Sequence, residues 1–322
     1  GRRESNWDFG TNPCSEIILR PNQFCNLTEI VVRAGDTINT LTRKIKVATL
    51  LGTIQSTFTN FGYLRKVWQD NTEEERLLGV SLTGIMDSEL LNGKESGLAK
   101  TLETLKKVAV ECNKEYAEKF NINQSTAITC VKPSGTVSQL VDSASGIHAR
   151  HNPYYIRTVR GDKKDPLTEF LKASGIPSED DKMKPDHTTV FSFPMMAPKG
   201  SVCRTDMTAI QQLEMWKIYA KHWCEHKPSV TISVKEEEWV PVGAWCWENF
   251  EYLSGVSFLP FSDHTYQQAP YQDIDEDTYK KLVKAMPKEI DWKNLQDFEK
   301  EDNTKGSQEL ACTAGVCELV DI

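Results

Sequence analysis

Helical segments alternate with short apolar segments along the chain, and this alternation constrains the fold more than any other feature. Apolar residues recur at helical spacing in residues 37–58, which Asp36 can cap, and in residues 95–120. Further helices are predicted over residues 166–174, 207–222 and 276–285. The predicted strands are residues 77–82, 126–131, 154–159, 188–193, 230–234 and 255–259. The alternation predicts an α/β fold with a mostly parallel sheet or barrel.

The composition excludes several classes of protein. A chain of 322 residues can bury a large core, in one large α/β domain or two smaller ones. It has no apolar run of about 18 residues, so a membrane span is not predicted. A net charge of −8 disfavours binding to nucleic-acid phosphates. The charged start, residues 1–9, is unlike a signal peptide.

The nine cysteines are scattered and odd in number, which predicts a reducing, cytoplasmic location. Those without any partner signal are expected to be small buried apolar groups. They are Cys112, Cys130, Cys203, Cys224 and Cys246. The six histidines have no metal-site spacing, so we predict no metal and assign them structural or surface roles.

Residues 12–16, Asn-Pro-Cys-Ser-Glu, contain the residue types of a reactive cysteine site. An extended segment would put Asn12, Cys14 and Glu16 on one side. A turn is also open, because Pro13 disfavours helix at the residue before it. Taken alone, the segment is better explained as a loop whose polar side chains bond nearby backbone. Cys25 alone would be a buried thiol.

Residues 132–138, Lys-Pro-Ser-Gly-Thr-Val-Ser, follow a predicted strand and precede a possible helix. Their N–H groups and hydroxyls could cradle a phosphate, although the order is not that of a Walker loop. A turn that binds no ligand explains the residues as well. The candidate phosphate-binding residues are Ser134, Gly135, Thr136, Val137 and Ser138.

Residues 287–322 contain nine acidic residues against four lysines, a net charge of −5 out of −8. We predict that they form a mobile acidic tail and that residues 1–286 form the folded domain. Cys312 and Cys317 lie in this tail. Two thiols make a poor zinc site, but a mobile pair suits thiol–disulfide exchange with another site. Taken alone, the pair is better explained as a chance occurrence.

In order, these motifs resemble the ribonucleotide reductases, and within them the adenosylcobalamin-dependent (class II) ribonucleoside-triphosphate reductases. The resemblance rests on residues 12–17, 25–27 and 133–136 and on the C-terminal cysteine pair. Residues 145–148, 154–160, 254–260 and 264–270 are similar to the same branch. The resemblance implies the second half of a ten-stranded α/β barrel, with Cys14 on a central finger loop.

The resemblance also implies a radical mechanism that uses adenosylcobalamin. The cysteine matching Cys14 would become a thiyl radical and remove the 3′ hydrogen of the ribose. The residue matching Glu16 would take the 3′-hydroxyl proton, and the one matching Asn12 would bond the sugar oxygens. A dry, rigid site and a carboxylate beside the thiyl suit this division. Cys25 matches one of two thiols that reduce the 2′ position and become a disulfide.

The remaining roles follow from the same resemblance. Cys312 and Cys317 would reduce that disulfide and be recharged by a thioredoxin-like reductant. The substrate would be a ribonucleotide, expected to be a triphosphate. Its phosphates would be held by the loop that contains Ser134, Gly135, Thr136 and Ser138. The product would be a 2′-deoxyribonucleotide for DNA precursor synthesis. No compact motif identifies the cobalamin contacts.

Two departures from the family pattern matter. Ser15 stands where the family usually has glycine, a change that we expect to be tolerated. In the family a long segment precedes the radical cysteine and supplies the other half of the barrel, the second reducing thiol and the nucleotide specificity site. Half a barrel has exposed strand edges. We therefore expect this chain alone to be inactive, and to need an N-terminal half from a separate or spliced chain.

Other interpretations stay open. A fragment of a class I large subunit would carry adjacent tyrosines late in the chain, whereas Tyr154 and Tyr155 come early. A glycyl-radical reductase would need a glycyl-radical loop near the C-terminus, and none is visible. A non-catalytic half that only complements another chain would have no physical need for Cys14 and Glu16. A disulfide oxidoreductase would carry C-x-x-C beside a strand–helix turn.

Overall fold

The contacts within the chain divide it into two units. The computed structural model describes residues 2–261 and 267–300, together with the backbone of 309–313 and 316–320. The first unit is Gly1–Pro153 with Ala197–Ser262, and the second is Tyr154–Met196 with Asp263–Ile322. The boundary predicted between residues 286 and 287 falls inside the second unit, and the division into a barrel domain and a tail stays a prediction.

Helices and short strands alternate through the described residues, as the sequence predicts. The strands are β1 (Gly10–Thr11), β2 (Ile18–Leu19), β3 (Asn26–Val31), β4 (Leu78–Thr83), β5 (Thr129–Cys130), β6 (Tyr154–Asp162), β7 (Ser178–Asp180), β8 (Thr188–Met196), β9 (Val230–Val234), β10 (Val256–Pro260), β11 (Tyr271–Asp273), β12 (Glu309–Thr313) and β13 (Val316–Val320). The helices are α1 (Ile38–Gln55), α2 (Lys66–Glu75), α3 (Leu98–Phe120), α4 (Gly135–Leu140), α5 (Pro166–Ala173), α6 (Ala209–His222), α7 (Trp239–Glu248) and α8 (Glu276–Ala285). Each predicted helix is confirmed to within a few residues.

Parallel strands form the framework of the first unit. Strands β3, β4 and β5 pair in parallel in that order, and β9 pairs in parallel with β10. A single parallel bridge between Val131 and Pro228 joins the two sets, giving the order β3-β4-β5-β9-β10. The strands are connected through helices, as parallel strands require. Five parallel strands are consistent with one half of the ten-stranded barrel that the resemblance implies.

The core of the first unit lies between this sheet and three helices. Leu78, Val80 and Leu82 of β4 are fully buried. They belong to one apolar cluster with the buried faces of α1, α3 and α6, which include Leu41, Ile45, Leu102, Leu105, Leu213 and Trp216. Burying such side chains stabilises the fold by about 1.5–3 kcal/mol each.

The start of α1 differs from the prediction. Thr37, not Asp36, is the N-cap residue, and its hydroxyl accepts a hydrogen bond from the N–H of Thr40. The carboxylate of Asp36 instead accepts hydrogen bonds from the ammonium of Lys44 and the hydroxyl of Thr40. The prediction of an Asp36 cap is therefore wrong by one residue, because neighbouring oxygen-bearing side chains compete for the same helix end.

The second unit is built on an antiparallel sheet, which the prediction of a mostly parallel sheet missed. Its strand order is β11-β6-β8-β7, and every pairing is antiparallel. Strands β12 and β13 form an antiparallel hairpin whose register sets Cys312 opposite Cys317. The side chains of these two cysteines lie outside the described residues. Across the described residues, none of the helices is long and apolar enough to span a membrane.

Candidate active site

Cys14 lies on the loop between two short antiparallel strands. Strands β1 and β2 pair with Thr11 opposite Ile18. The loop between them is closed by hydrogen bonds from the N–H of Ser15 to the carbonyl of Asn12 at 2.9 Å and from the N–H of Ile17 to Asn12 Oδ1 at 3.0 Å. The segment is therefore a turn rather than an extended strand. The thiol of Cys14 is exposed at this turn.

The backbone of Ser15 explains the one departure in this loop. Its φ is 61°, in the left-handed region that glycine occupies without strain. Serine is accommodated there, and its hydroxyl lies 3.5 Å from that of Thr11. The loop thus keeps the conformation that glycine favours at this position.

Glu16 is completely buried beside the loop. Its Oε1 accepts hydrogen bonds from Asn12 Nδ2 at 2.8 Å and from Lys132 Nζ at 2.7 Å. Its Oε2 is buried and has no hydrogen-bond partner among the described residues. An unpaired buried oxygen is costly, by about 1–3 kcal/mol, unless a ligand completes it. The arrangement leaves one oxygen of a fixed carboxylate without a hydrogen-bond partner.

Lys132 is the positive charge closest to this carboxylate. Burial lowers the pKa of Lys132, but the hydrogen bond and negative charge of Glu16 outweigh burial and leave the pKa above its ordinary value. The ammonium is therefore charged at neutral pH. Lys132 belongs to the predicted phosphate-loop motif, but its sequence context predicts no role for its side chain.

Cys25 directly precedes β3 and lies near the finger loop. An added Cβ on Gly79 would lie 3.2 Å from Ile17 Cδ1 and 3.3 Å from Cys25 Sγ. The absence of a side chain at Gly79 therefore lets Ile17 and Cys25 pack closely against β4. Burial, and then the electrostatic interactions with Cys130 and with the carboxylate of Glu16, raise the pKa of Cys25 well above its ordinary value. The thiol stays protonated at neutral pH, which suits a hydrogen donor better than a thiolate nucleophile.

The remaining cysteines behave largely as the sequence predicts. Four of the five expected to be buried are buried, namely Cys112, Cys130, Cys203 and Cys224, and Cys246 is half-buried. Burial raises the pKa of Cys130, which lies on β5 and is the member of this group that acts electrostatically on Cys25. Nothing in the sequence singled out that relationship, because it depends on strand order.

The predicted phosphate loop begins a short helix. Ser134 has a φ of 53° and precedes α4, which no side chain among the described residues caps. The hydroxyl of Ser134 donates to Glu29 Oε1 at 2.6 Å, and that of Ser138 bonds the backbone carbonyl of Ser134 and, at 2.7 Å, the hydroxyl of Ser145. Gly135, Thr136 and Val137 are exposed. Of the predicted groups, the first N–H groups of α4 have no partner within the helix, and Thr136 is an exposed residue.

Residues 226–227 hold the base of the finger loop. His226 Nε2 bonds the carbonyl of Leu78 at 2.9 Å, and its Nδ1 accepts from the N–H of Ile18 at 3.4 Å. The N–H of Lys227 donates to the carbonyl of Glu16 at 2.9 Å. Burial, and next the charge of Arg3, lower the pKa of His226 to about 4. His226 is neutral at physiological pH and has the structural role that the sequence analysis assigned to the histidines.

The structure thus places Asn12, Cys14 and Glu16 in one loop, and adds Lys132 as a fourth member of the site. Cys25 lies at the edge of the same region. Among residues 2–261 and 267–300, no three His, Cys, Asp or Glu side chains are grouped as a metal ion would require. The predicted reducing pair, Cys312 and Cys317, has no described side chains to compare.

The chain is similar in structure to a ribonucleotide reductase of class II. No family model matches the chain. The crystal structure of a B12-dependent (class II) ribonucleotide reductase superposes with a TM-score of 0.79 at 25% identity, covering 90% of this chain and 44% of that protein. The fold is therefore that of part of a class II ribonucleotide reductase, as the resemblance implied.

The curated relatives are adenosylcobalamin-dependent ribonucleoside-triphosphate reductases. The chain is 25% identical to the adenosylcobalamin-dependent ribonucleoside-triphosphate reductase of Lactobacillus delbrueckii subsp. bulgaricus, over 96% of this chain and 45% of the relative. It is 29% identical to a probable enzyme of the same description from Dictyostelium discoideum, over 97% of this chain and 40% of the relative. The Euglena gracilis reductase is 28% identical over 88% and 38% respectively. The chain spans less than half the length of these relatives, and the resemblance seen in its sequence is confirmed.

Proposed function

We propose that this chain carries the radical cysteine and the general base of an adenosylcobalamin-dependent ribonucleoside-triphosphate reductase. The single observation that supports this most is the pairing of an exposed thiol, Cys14, with a buried carboxylate, Glu16, that keeps one oxygen unpaired. A structural loop gains nothing from a buried, half-satisfied carboxylate. A site for a sugar hydroxyl does.

Cys14 is the residue of this chain that would react with the radical that adenosylcobalamin supplies. Cys14 is exposed at a turn whose backbone is fixed by hydrogen bonds, so a radical source bound beside the loop can reach it. Adenosylcobalamin supplies, when bound, the carbon radical that takes a hydrogen atom from a thiol. The cobalamin contacts themselves are not assigned to residues of this chain.

The residues of the loop divide the work on the ribose. Cys14, having lost its hydrogen atom, removes the 3′ hydrogen of the substrate, so that one S–H bond forms as one C–H bond breaks. Glu16 accepts the 3′-hydroxyl proton at Oε2. Asn12 keeps its Nδ2 on Oε1 and its Oδ1 on the N–H of Ile17, so it orients the base and retains one amide hydrogen for a sugar oxygen.

Replacing the 2′ hydroxyl by hydrogen, with release of water, needs two electrons and two protons, which two thiols supply as they become a disulfide. Cys25 is one of these thiols in our proposal, because it lies near the finger loop and stays protonated. The second thiol comes from the rest of the enzyme. Cys312 and Cys317 then reduce the disulfide by exchange, and a thioredoxin-like reductant recharges them.

The substrate phosphates bind at the start of α4. The N–H groups of Gly135, Thr136 and Val137 and the hydroxyl of Thr136 are the available donors, whereas the hydroxyls of Ser134 and Ser138 hold the loop itself. We propose a triphosphate substrate, which the descriptions of the relatives support. We also propose that turnover requires the remaining part of the barrel, so that the chain alone is inactive.

The test compares two cysteine variants in an assembly of this chain with the rest of the reductase. Turnover of a ribonucleoside triphosphate is measured with adenosylcobalamin and a dithiol. Cys14→Ser is expected to abolish deoxyribonucleotide formation, because a hydroxyl is too poor a hydrogen donor. Cys246→Ser is the matched control, on α7, and is expected to retain turnover. Full activity of Cys14→Ser would refute the proposal and favour a chain that only complements its partner.

A further inference from the structure

Lys132 connects the base to the predicted phosphate loop. Its Nζ lies 2.7 Å from Glu16 Oε1, and its main chain leads directly into residues 133–138. The side chain of Lys132 is 27% exposed, whereas that of Glu16 is fully buried. The lysine therefore reaches inward to the carboxylate from a position that a ligand on the loop can also approach.

The backbone of Lys132 is anchored from behind. Its N–H donates to Ser81 Oγ, on β4, at 2.9 Å. On the other side of Pro133, the hydroxyl of Ser134 donates to Glu29 Oε1, on β3. The lysine thus starts from a fixed point on the sheet, which limits the positions that its ammonium can take.

The two oxygens of the Glu16 carboxylate have different surroundings. Asn12 and Lys132 both bond Oε1, and Oε2 is buried without a partner. A buried carboxylate needs a counter-charge, and Lys132 is the only cation that contacts it in the described residues. Two donors on one oxygen fix the rotation of the carboxylate about its last bond. The free oxygen then points in one direction.

We propose that Lys132 is a positioning residue for the reduction: it fixes Glu16 through Oε1, so that Oε2 is presented to the 3′ hydroxyl of a substrate whose phosphates bind the adjoining loop. This inference rests on the proposed function. It assigns Lys132 no contact with the reacting atoms. Its effect on turnover must therefore pass through Glu16.

The experiment is a double-mutant cycle in the full assembly, with ribonucleoside triphosphate as substrate. Lys132→Met is expected to lower kcat by about 100-fold, within the range of general base catalysis, with KM changed by less than about threefold. Lys132→Arg, which keeps the charge, should recover part of kcat. In a Glu16→Gln background there is no carboxylate for the lysine to fix. The same Lys132→Met change should then lower the residual kcat by no more than about twofold, which is about the error of such a comparison.

Two controls separate the possible failures. Lys119→Met removes a comparable lysine–glutamate pair on the surface of α3 and should leave kcat and KM unchanged. Equal losses from Lys132→Met in the wild-type and Glu16→Gln backgrounds, or a loss confined to KM, would overturn the positioning role. Activity of Cys14→Ser in the same assembly would instead refute the proposed function.

Discussion

The side-chain amide of Asn12 donates a hydrogen bond to Oε1 of Glu16 at 2.8 Å, across the loop that presents Cys14. The same side chain accepts a hydrogen bond from the N–H of Ile17 through Oδ1. One residue therefore closes the loop and orients the base. This double use explains why an amide, with a donor and an acceptor, stands at this position.

Asn12→Asp should separate these two uses. Aspartate keeps an acceptor for the N–H of Ile17 but turns the donor facing Glu16 into a like charge. We expect kcat to fall further in Asn12→Asp than in Asn12→Ala, and unfolding free energy to fall by about 1–3 kcal/mol in Asn12→Ala. Asn123→Ala, at an exposed asparagine, is the control. Equal kcat values for Asn12→Asp and the wild type would contradict the assigned orientation.

His226 predicts a pH dependence of stability. Its pKa is about 4 in the folded chain, below the ordinary value of about 6.5, because burial and the charge of Arg3 oppose protonation. The contribution of His226 to stability is complete at a pH above its pKa in the unfolded chain. This contribution is lost as the pH falls towards its pKa in the folded chain. Between these limits the loss should approach about 3 kcal/mol, as followed by urea unfolding.

His226→Gln should flatten that part of the stability profile, because glutamine does not titrate and can still donate to the carbonyl of Leu78. The control is His222→Gln, which changes a partly exposed histidine paired with Glu103. An unchanged slope between pH about 6.5 and about 4 in His226→Gln would show that other groups cause the loss.

Gly79→Ala should disturb the region between the finger loop and Cys25. The new methyl group would overlap Cδ2 of Leu27 and press on Ile17 and Cys25. We expect a loss of about 1–3 kcal/mol in unfolding free energy, typical of overpacking, with part of it recovered in Gly79→Ala/Leu27→Ala. Gly52→Ala, on α1, meets only ordinary contacts at 3.4 Å and should be neutral or slightly stabilising. Equal stability of the two alanine variants would contradict the close packing.

Asp87 and Arg150 form a buried, two-point ion pair next to the segment that follows α4. Arg150 Nε and Nη2 each lie 2.8 Å from a different carboxylate oxygen of Asp87. Asp87→Asn removes the buried counter-charge of the guanidinium and leaves the charge of Asp142, whose side chain is 58% exposed, so unfolding free energy should fall by up to about 3–5 kcal/mol. Asp70→Asn, in the exposed pair with Lys66, should cost less than about 1 kcal/mol. Similar losses in the two variants would argue against a structural role for the buried pair.

Much of the fold follows from local patterns, and the misses have physical causes. The helices α1 and α3 carry regular apolar faces and were predicted nearly to their ends. Strand β3 was missed because Asn26 and Glu29 interrupt its apolar pattern. Helix α2 was missed because residues 66–75 are almost entirely polar and pack through Asn71, Thr72 and Glu75.

The candidate site shows the same division. Asn12, Cys14 and Glu16 share one loop, so their association could be predicted from spacing. The pairing of Glu16 with Lys132 joins residues 116 positions apart, and no local pattern encodes it. A basic residue directly after a strand and before the phosphate loop was the one available signal. The role of His226 likewise depends on how Ile18 and Leu78 meet in the folded chain.

The location of the radical decides whether Cys14 has the proposed role. The assembly, prepared with cysteine deuterated at Cβ, is mixed with adenosylcobalamin and a ribonucleoside triphosphate, frozen rapidly, and studied by electron paramagnetic resonance. An unpaired electron on Sγ of Cys14 couples to its Cβ hydrogens, so the signal should narrow with deuteration. The signal should be absent in Cys14→Ser and present in Cys246→Ser. A signal of full size in Cys14→Ser would contradict the account, because the radical would then reside elsewhere.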